Sequence, residues 1–341
     1  MFFQTGLQGL TLAVFLLALG AASWHSSQGA RTPEPPLKSS AGPLSSASES
    51  GESRAWQTSE MLPGIGKRPG SPSLATLPNG QLAAVWTAVS RSEEIGRPEQ
   101  ATIWFSLRTA NGWQEPVPVA TREDAAGALF AHIRKIEAPI LQEHEGVLHL
   151  WFAAKGLAGA HWYQLAHRLS ADTGKHWSRV QAISHQPLGL PNPPSGQPAK
   201  MLNQGEIAFP SSLNSPENQQ AWLRINPNGR IVGRFWQPQP ALPARFKTSP
   251  FALLELKNGQ SILVGNPPSG QNTLAIWLQT GKDTGWKKMK NLESANDPQA
   301  HFGQPALALA PDGNIHLAYI WRDQGIRLRS FNFAWLTEDA Q

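Results

Sequence analysis

The chain has 341 residues and a formal net charge of +5, from 29 Lys and Arg against 24 Asp and Glu. Without cysteine it can hold neither a disulfide framework nor a thiolate-ligated zinc. With 40% hydrophobic residues and 14 Trp it can bury a sizeable core, which excludes disorder along its whole length. A charge of +5 spread this thinly permits attraction to anionic ligands without demanding nucleic acid, and no nucleic-acid partner is expected.

No charged side chain precedes Arg31, and Leu10 to Ala22 is an unbroken run of small and apolar residues. Its length suits the hydrophobic region of a signal peptide. Extended back to Phe2 and Phe3 it reaches about 21 residues, the length of a spanning anchor. Residues 1–25 are therefore expected to be a signal peptide or an N-terminal membrane anchor. Residues 26–53, rich in Ser, Pro and Gly, are expected to form a disordered tether. The body, 54–341, would then lie outside the cytoplasm, periplasmic or extracellular, and tethered to the membrane if the anchor is retained.

The body repeats. Five times a Pro opens a short apolar strand, a Gly-closed turn follows, and a second apolar strand returns. The prolines are Pro72, Pro139, Pro198, Pro250 and Pro305. Turns such as Pro78-Asn79-Gly80, Asn203-Gln204-Gly205, Lys257-Asn258-Gly259 and Pro311-Asp312-Gly313 supply the positive φ that a tight hairpin requires. Each copy but the last continues as a second hairpin, and two hairpins make a four-stranded blade. A period of this size in short strands predicts an all-β propeller rather than a helical solenoid. The fifth copy is one strand short, and Arg54 to Leu62 (RAWQTSEML) is expected to supply the missing outer strand and close the ring.

Ser170-Ala171-Asp172-Thr173-Gly174-Lys175-His176-Trp177 has the S-x-D-x-G-x-x-W form of an Asp box, with worn copies at Asn111-Gly112-Trp113 and Asp283-Thr284-Gly285-Trp286. Together with the opening PSLATLPNGQLAAVW and the closing QPALALAPDGNIHLAYIWR, these motifs resemble the BNR/Asp-box sialidase-like proteins over roughly Ser71 to Arg329. The resemblance implies a sialidase-type β-propeller, normally of six blades. Five repeats are legible here, so five blades or six remain open. The Asp box is a fold marker: Asp172 is expected to accept backbone N–H groups, Gly174 to take the left-handed position, and Trp177 to pack between hairpins.

Within each blade the tight turns fall on one face of the ring, so the long loops and the inter-blade connections share the other. Function on a rigid scaffold is carried by such loops. That face holds Arg68, Arg91, Glu99, Lys155, Arg245 and Arg322 among its charged residues. Converging cations suit a carboxylate-bearing sugar, which Arg grips through paired N–H donors. The family resemblance implies an arginine cluster for the substrate carboxylate, an acidic acid/base and a Tyr nucleophile paired with a Glu. On that template Arg91 and Glu99 are the catalytic candidates, with Arg68, Lys155, Arg245 and Arg322 as ligand-binding groups.

Departures from the template are equally specific. Gly70 occupies the place of the family's first arginine, with Arg68 two residues upstream, and Phe302-Gly303-Gln304-Pro305 replaces a Tyr-x-Tyr-Pro. Of the two tyrosines, Tyr319 reads as core, and Tyr163 reaches toward the loop face without an evident Glu partner. Seven of the ten histidines fall between His132 and His185, but their spacing does not make a metal site. His149 and His316 occupy the same place in two repeats, which argues for packing. No cofactor or metal is implied. Two readings follow: an exported sialidase-like glycoside hydrolase acting on an anionic or sialylated glycan, or a non-catalytic propeller that binds a glycan or protein. Fold alone does not choose between them.

Overall fold

The computed structural model describes residues 54–64, 67–89, 101–156, 163–183, 200–202, 206–211, 219–226, 231–238, 242, 250–256, 258–268, 270–281 and 284–338. The expected leader and tether, 1–25 and 26–53, lie outside them. Among the described residues, four four-stranded sheets and one five-stranded sheet make up the blades of a propeller. β1 (Gln57–Met61) belongs to the last blade. The first contains β2 (Lys67–Thr76), β3 (Leu82–Val89) and β4 (Ala101–Thr109), and its outer position is shared by β5 (Gly112–Trp113) and β6 (Val117–Ala120). The second runs β7 (Ile133–His144), β8 (Val147–Gly156), β9 (Tyr163–Ser170) and β10 (Gln181–Ala182). The third is β11 (Lys200–Met201), β12 (Ile207–Ser211), β13 (Gln219–Ile225) and β14 (Ile231–Pro238), and the fourth β15 (Phe251–Glu255), β16 (Ser261–Gly265), β17 (Thr273–Gln279) and β18 (Lys287–Ser294). The fifth is β19 (Phe302–Leu309), β20 (Ile315–Trp321) and β21 (Gly325–Phe331).

Ring closure follows the sequence expectation. β1 pairs antiparallel with β21, Gln57 opposite Phe331 through Met61 opposite Arg327, so the first described strand completes the last blade. Asn332 ties the seam further: its side chain accepts from the Trp56 amide at 3.2 Å and donates to the Arg54 carbonyl at 3.1 Å.

Second strands are covered on both faces by neighbouring blades, so they read as near-continuous apolar runs. β3 (LAAVWTAV) and β16 (SILVG) are buried almost throughout. Blade-to-blade contacts use one large aromatic against another. Trp151 of the second blade meets Phe209 of the third edge-on at 4.9 Å, and Phe105 of the first meets Trp177 of the second at 5.4 Å. Burying one such side chain is worth about 1.5–3 kcal/mol.

The Asp box behaves as its sequence implies. His176 N donates to Asp172 Oδ1 at 2.9 Å, Gly174 has φ +91°, and Trp177 Nε1 donates to the Gly174 carbonyl at 3.1 Å. A second constraint on Gly174 comes from the neighbouring blade, since a Cβ there would lie 2.2 Å from the Phe105 ring. Arg168 locks the same junction by donating to the Ser178 and Trp177 carbonyls and, across the blade boundary, to Val119 O.

One repeated device was not anticipated. Ser71, Ala138 and Gln304, each the residue before a repeat proline, have positive φ of 44°, 50° and 47°. Each lies within a register shift of an inner strand, between Gly70 and Ser73, Glu137 and Ile140, and Gly303 and Ala306. Pro has no N–H to give to a ladder, so a bulge is its natural place in a sheet. Bulges re-aim neighbouring side chains, and these three do so at the long-loop ends of three consecutive inner strands. The strands are stitched together there: Gln304 Oε1 accepts from Ser71 N, and Leu141 N donates to Ser73 Oγ at 3.0 Å.

A candidate anion cleft on the long-loop face

The connection from β6 to β7 reads as loop in the sequence, but part of it is helical: α1 (Arg122–Leu129). The cause is a capping box. Thr121 Oγ1 accepts from Asp124 N at 3.1 Å, and Asp124 Oδ2 accepts from Thr121 N at 2.9 Å. Phe130 then takes the left-handed C-cap position (φ 49°), turning the chain from α1 into β7. Arg122 at one end of the helix is thereby set opposite the start of β7.

Between them lies a cleft of about 400 Å³, lined by Val89, Ala101, Arg122, Arg134, Lys135, Ile136 and Lys155. Four of these seven residues are cationic. Lys135 and Lys155 stand directly opposite each other in the β7–β8 ladder, a like-charge arrangement that destabilises a sheet unless something neutralises it. Among the described residues, Glu137 pairs with Lys135, and Glu123 with Arg122 at 3.1 Å.

Tyr163 begins β9 directly opposite Lys155, whose Nζ lies 5.9 Å from the ring centre. Burial, then the hydrogen-bonding and charge of the Glu137 carboxylate, push the Tyr163 phenol up to about 12. No Glu partner for Tyr163 is evident from the strand pattern, and Glu137 is the carboxylate beside it. Glu137 sits at the bulge beside Pro139, where simple strand alternation fails as a guide to facing.

Tyr319 is fully buried, as read from its strand, but it is not an apolar core residue. Its hydroxyl donates to Glu293 Oε1 at 2.5 Å and accepts from Arg329 Nε at 2.9 Å. Arg327 and Arg329 each donate to the same Glu293 oxygen at 2.8 Å. Burial works against the Glu293 charge, but Arg329, Tyr319 and Arg327 outweigh it and lower the carboxyl below its ordinary range.

Of the ligand-binding candidates, Lys155 lines the cleft, while Arg68 is exposed at the start of β2 with φ 52°. Arg322 is exposed after β20, 5.2 Å over the Trp321 ring. Arg91, Glu99 and Arg245 lie outside the described residues. Arg122, Arg134 and Lys135 also line the cleft and were not among the sequence candidates. Their clue was the inter-blade connection 121–137, which the sequence places on the long-loop face. His149 and His316 pack as expected: His149 stacks on Trp151 at 5.3 Å and meets His167 at 3.2 Å, and His316 bonds Ser330 Oγ at 2.7 Å. No group of three metal-ligating side chains occurs among the described residues.

This architecture is a β-propeller with the fold seen in sialidase structures. Residues 80–240 match the BNR repeat-like domain. A Hadza microbial sialidase superposes with a TM-score of 0.56 at 13% identity, covering 78% of this chain and 66% of that one. The leech intramolecular trans-sialidase gives 0.54 at 13% identity over 80% of this chain and 69% of that one. The NanB sialidase from Streptococcus pneumoniae gives 0.51 at 10% identity over 80% and 69%. The chain therefore spans about two thirds of the length of these structures. No curated protein matches it in sequence. Among the described residues no helix is long and apolar enough to cross a membrane.

Proposed function

We propose that the protein is an exported, sialidase-like glycoside hydrolase that takes an anionic sugar, of the sialic-acid type, into the cleft between the first two blades. The observation that carries this reading is the conjunction of four cations around one cavity with Tyr163 at its edge, directly opposite Lys155 and acted on by Glu137. Arg122 and Arg134 supply planar N–H donors to the sugar carboxylate, and Lys135 and Lys155 add charge. Tyr163 serves as the nucleophile and Glu137 takes its proton, the division of labour that sialidases use among glycosidases. A phenol raised to about 12 stays protonated at neutral pH, so it attacks only as Glu137 removes that proton. Arg68 and Arg322 bind further parts of the glycan on the same face, and Arg91, Glu99 and Arg245 remain candidates for the roles the sequence suggests. The N-terminal segment places the body outside the cytoplasmic membrane, cleaved or anchored, and fractionation of cells expressing the full chain tests that part.

The cleft is tested with 3′-sialyllactose and lactose as ligands, comparing the wild type with a Lys135→Ala, Lys155→Ala double variant. Sialyllactose binding should weaken at least tenfold in the variant and fall with added salt, while lactose should bind neither protein. Equal binding of lactose, or unchanged binding by the variant, would overturn the assignment.

A second reading has its own support. Glu137 is already engaged by Lys135, which lowers its strength as a base. The same cleft with that pair intact is a glycan-binding site without turnover. Binding of sialyllactose with no release of sialic acid would select it.

A further inference from the structure

The ladder beside the cleft concentrates positive charge by an irregularity in its register. Ile133 of β7 stands opposite Gly156 and Lys135 opposite Lys155, so Arg134 is the residue that the register shift adds between them. A bulge re-aims the side chains around it, and here Arg134, Lys135 and Lys155 all line the one cavity. Tyr163 stands opposite Lys155 on the next strand, so Lys135, Lys155 and Tyr163 form a row across β7, β8 and β9. Arg122, set in place by the capped start of α1, lines the same cavity.

These four cations are of two chemical kinds. A guanidinium presents a planar fork of donors that matches a planar carboxylate. An ammonium is a compact charge with three donors pointing in different directions, which suits the divergent oxygens of a tetrahedral anion. Side chains directly opposite in an antiparallel ladder have their Cβ atoms about 4.5–5.5 Å apart. Lys135 and Lys155 are so placed, and at that spacing both ammonium groups can donate to one small anion. Like charges in this position repel. Glu137, two residues further along β7, pairs with Lys135 and also acts on Tyr163, so one carboxylate serves both.

We infer that the Lys135–Lys155 pair is a subsite for a tetrahedral oxyanion ester, sulfate or phosphate, and that the cleft prefers a doubly anionic glycan. The sugar carboxylate lies against Arg122 and Arg134, and the ester on the adjoining sugar lies between the two lysines. The inference rests on the glycan reading of the cleft and narrows its substrate class. No bond forms or breaks at the lysine pair. Its part is selection: an ester adds one or two negative charges where two positive ones already face each other, so the ligand relieves a repulsion that the free ladder carries.

The test is calorimetric titration of the full chain with four ligands. They are 3′-sialyl-N-acetyllactosamine, the same compound with a sulfate or a phosphate on the galactose 6-hydroxyl, and the sulfated disaccharide without sialic acid. At least one ester should tighten sialoside binding about tenfold or more, with a steeper loss of affinity as salt is added. The arm that gains identifies the ester. A Lys135→Met, Lys155→Met double variant, which keeps both apolar stems, should bring that gain below about threefold. Arg134→Gln should weaken all three sialosides and leave the gain in place. No gain in the wild type, a gain that survives in the double variant, or equal binding of the sulfated disaccharide without sialic acid would each overturn the doubly anionic ligand. Binding of the plain sialoside would still leave the cleft reading standing. A wild type that binds none of the three sialosides would remove the cleft reading itself, and the subsite with it. Thermal melts of the variants confirm that the fold is retained.

Discussion

Two Tyr–Glu pairs occur in this propeller, and their surroundings separate structure from chemistry. Tyr319 and Glu293 are buried between the fourth and fifth blades, and Arg327 and Arg329 complete a closed set of partners. Tyr319, Glu293 and both arginines are engaged with one another there. Tyr163 and Glu137 come together at the edge of a cavity, beside four lysines and arginines against which the described residues set Glu137 and Glu123. A satisfied network stabilises a blade junction; an incompletely compensated one invites an anion. Residue type is common to both, so the distinction lies in burial and in the balance of charge.

The largest effect that tests this contrast is on the buried side. Glu293→Ala leaves Arg327 and Arg329, both mostly buried, without their shared counter-charge. Breaking a buried ion pair by removing one partner costs about 3–5 kcal/mol, read as a drop in the urea midpoint at constant m-value. A loss below about 1 kcal/mol would show the network to be as dispensable as a surface pair. Tyr319→Phe should cost less, about 1–2 kcal/mol, because it removes one donor from a set the arginines still satisfy.

Next in size is the Asp-box glycine. Gly174→Ala combines a left-handed backbone with a Cβ set against the Phe105 ring, and a loss of about 2–3 kcal/mol is expected. The double variant Gly174→Ala, Phe105→Leu separates the two causes. It recovers part of the loss if the clash with the neighbouring blade contributes, and none if the cost is backbone strain alone.

These junctions also mark how far the sequence could be read. Prolines at the start of each repeat, Gly-closed turns and the S-x-D-x-G-x-x-W motif report local backbone geometry, and that much of the fold was legible. β1 closing on β21 followed from counting strands. The pair Tyr163–Glu137 was not legible, because it joins separate strands across a bulge. Glu137 sits at a register shift, where the alternation rule loses its phase. α1 was hidden for a different reason. Its eight residues are held by Thr121 and Asp124 rather than by an apolar stripe, and only Ala125 is buried.

The histidines add a pH-dependent contrast of intermediate size. Burial, reinforced by His149, pushes His167 down to about 3. Burial also brings His316 to about 4, with Arg108 acting in the same direction and Asp312 against. The unfolded chain binds those protons near pH 6.5 and the folded protein does not, so stability is greatest above about 6.5 and falls as the pH drops. Each histidine contributes a slope of up to about 1.4 kcal/mol per pH unit until its folded value is reached. Urea midpoints measured between pH 7 and 4.5 should therefore decline, and His167→Phe, which keeps a ring against Trp151, should shallow that decline. An unchanged slope would place the acid sensitivity elsewhere.

The smallest stability effect is expected where the functional effect is largest. Tyr163→Phe removes a hydroxyl at a partly exposed position, and Glu137→Gln keeps an acceptor for it, so each should change stability by no more than about 0.5 kcal/mol. The same changes in the buried pair cost several times more. If Tyr163 is the nucleophile, Tyr163→Phe abolishes covalent turnover of an aryl sialoside, and Glu137→Gln slows it while leaving sialyllactose binding in place. A destabilisation of 1 kcal/mol or more in Tyr163→Phe, with turnover unaffected, would make the two pairs alike. The pair at the cleft would then be a second blade clasp that happens to lie near charge.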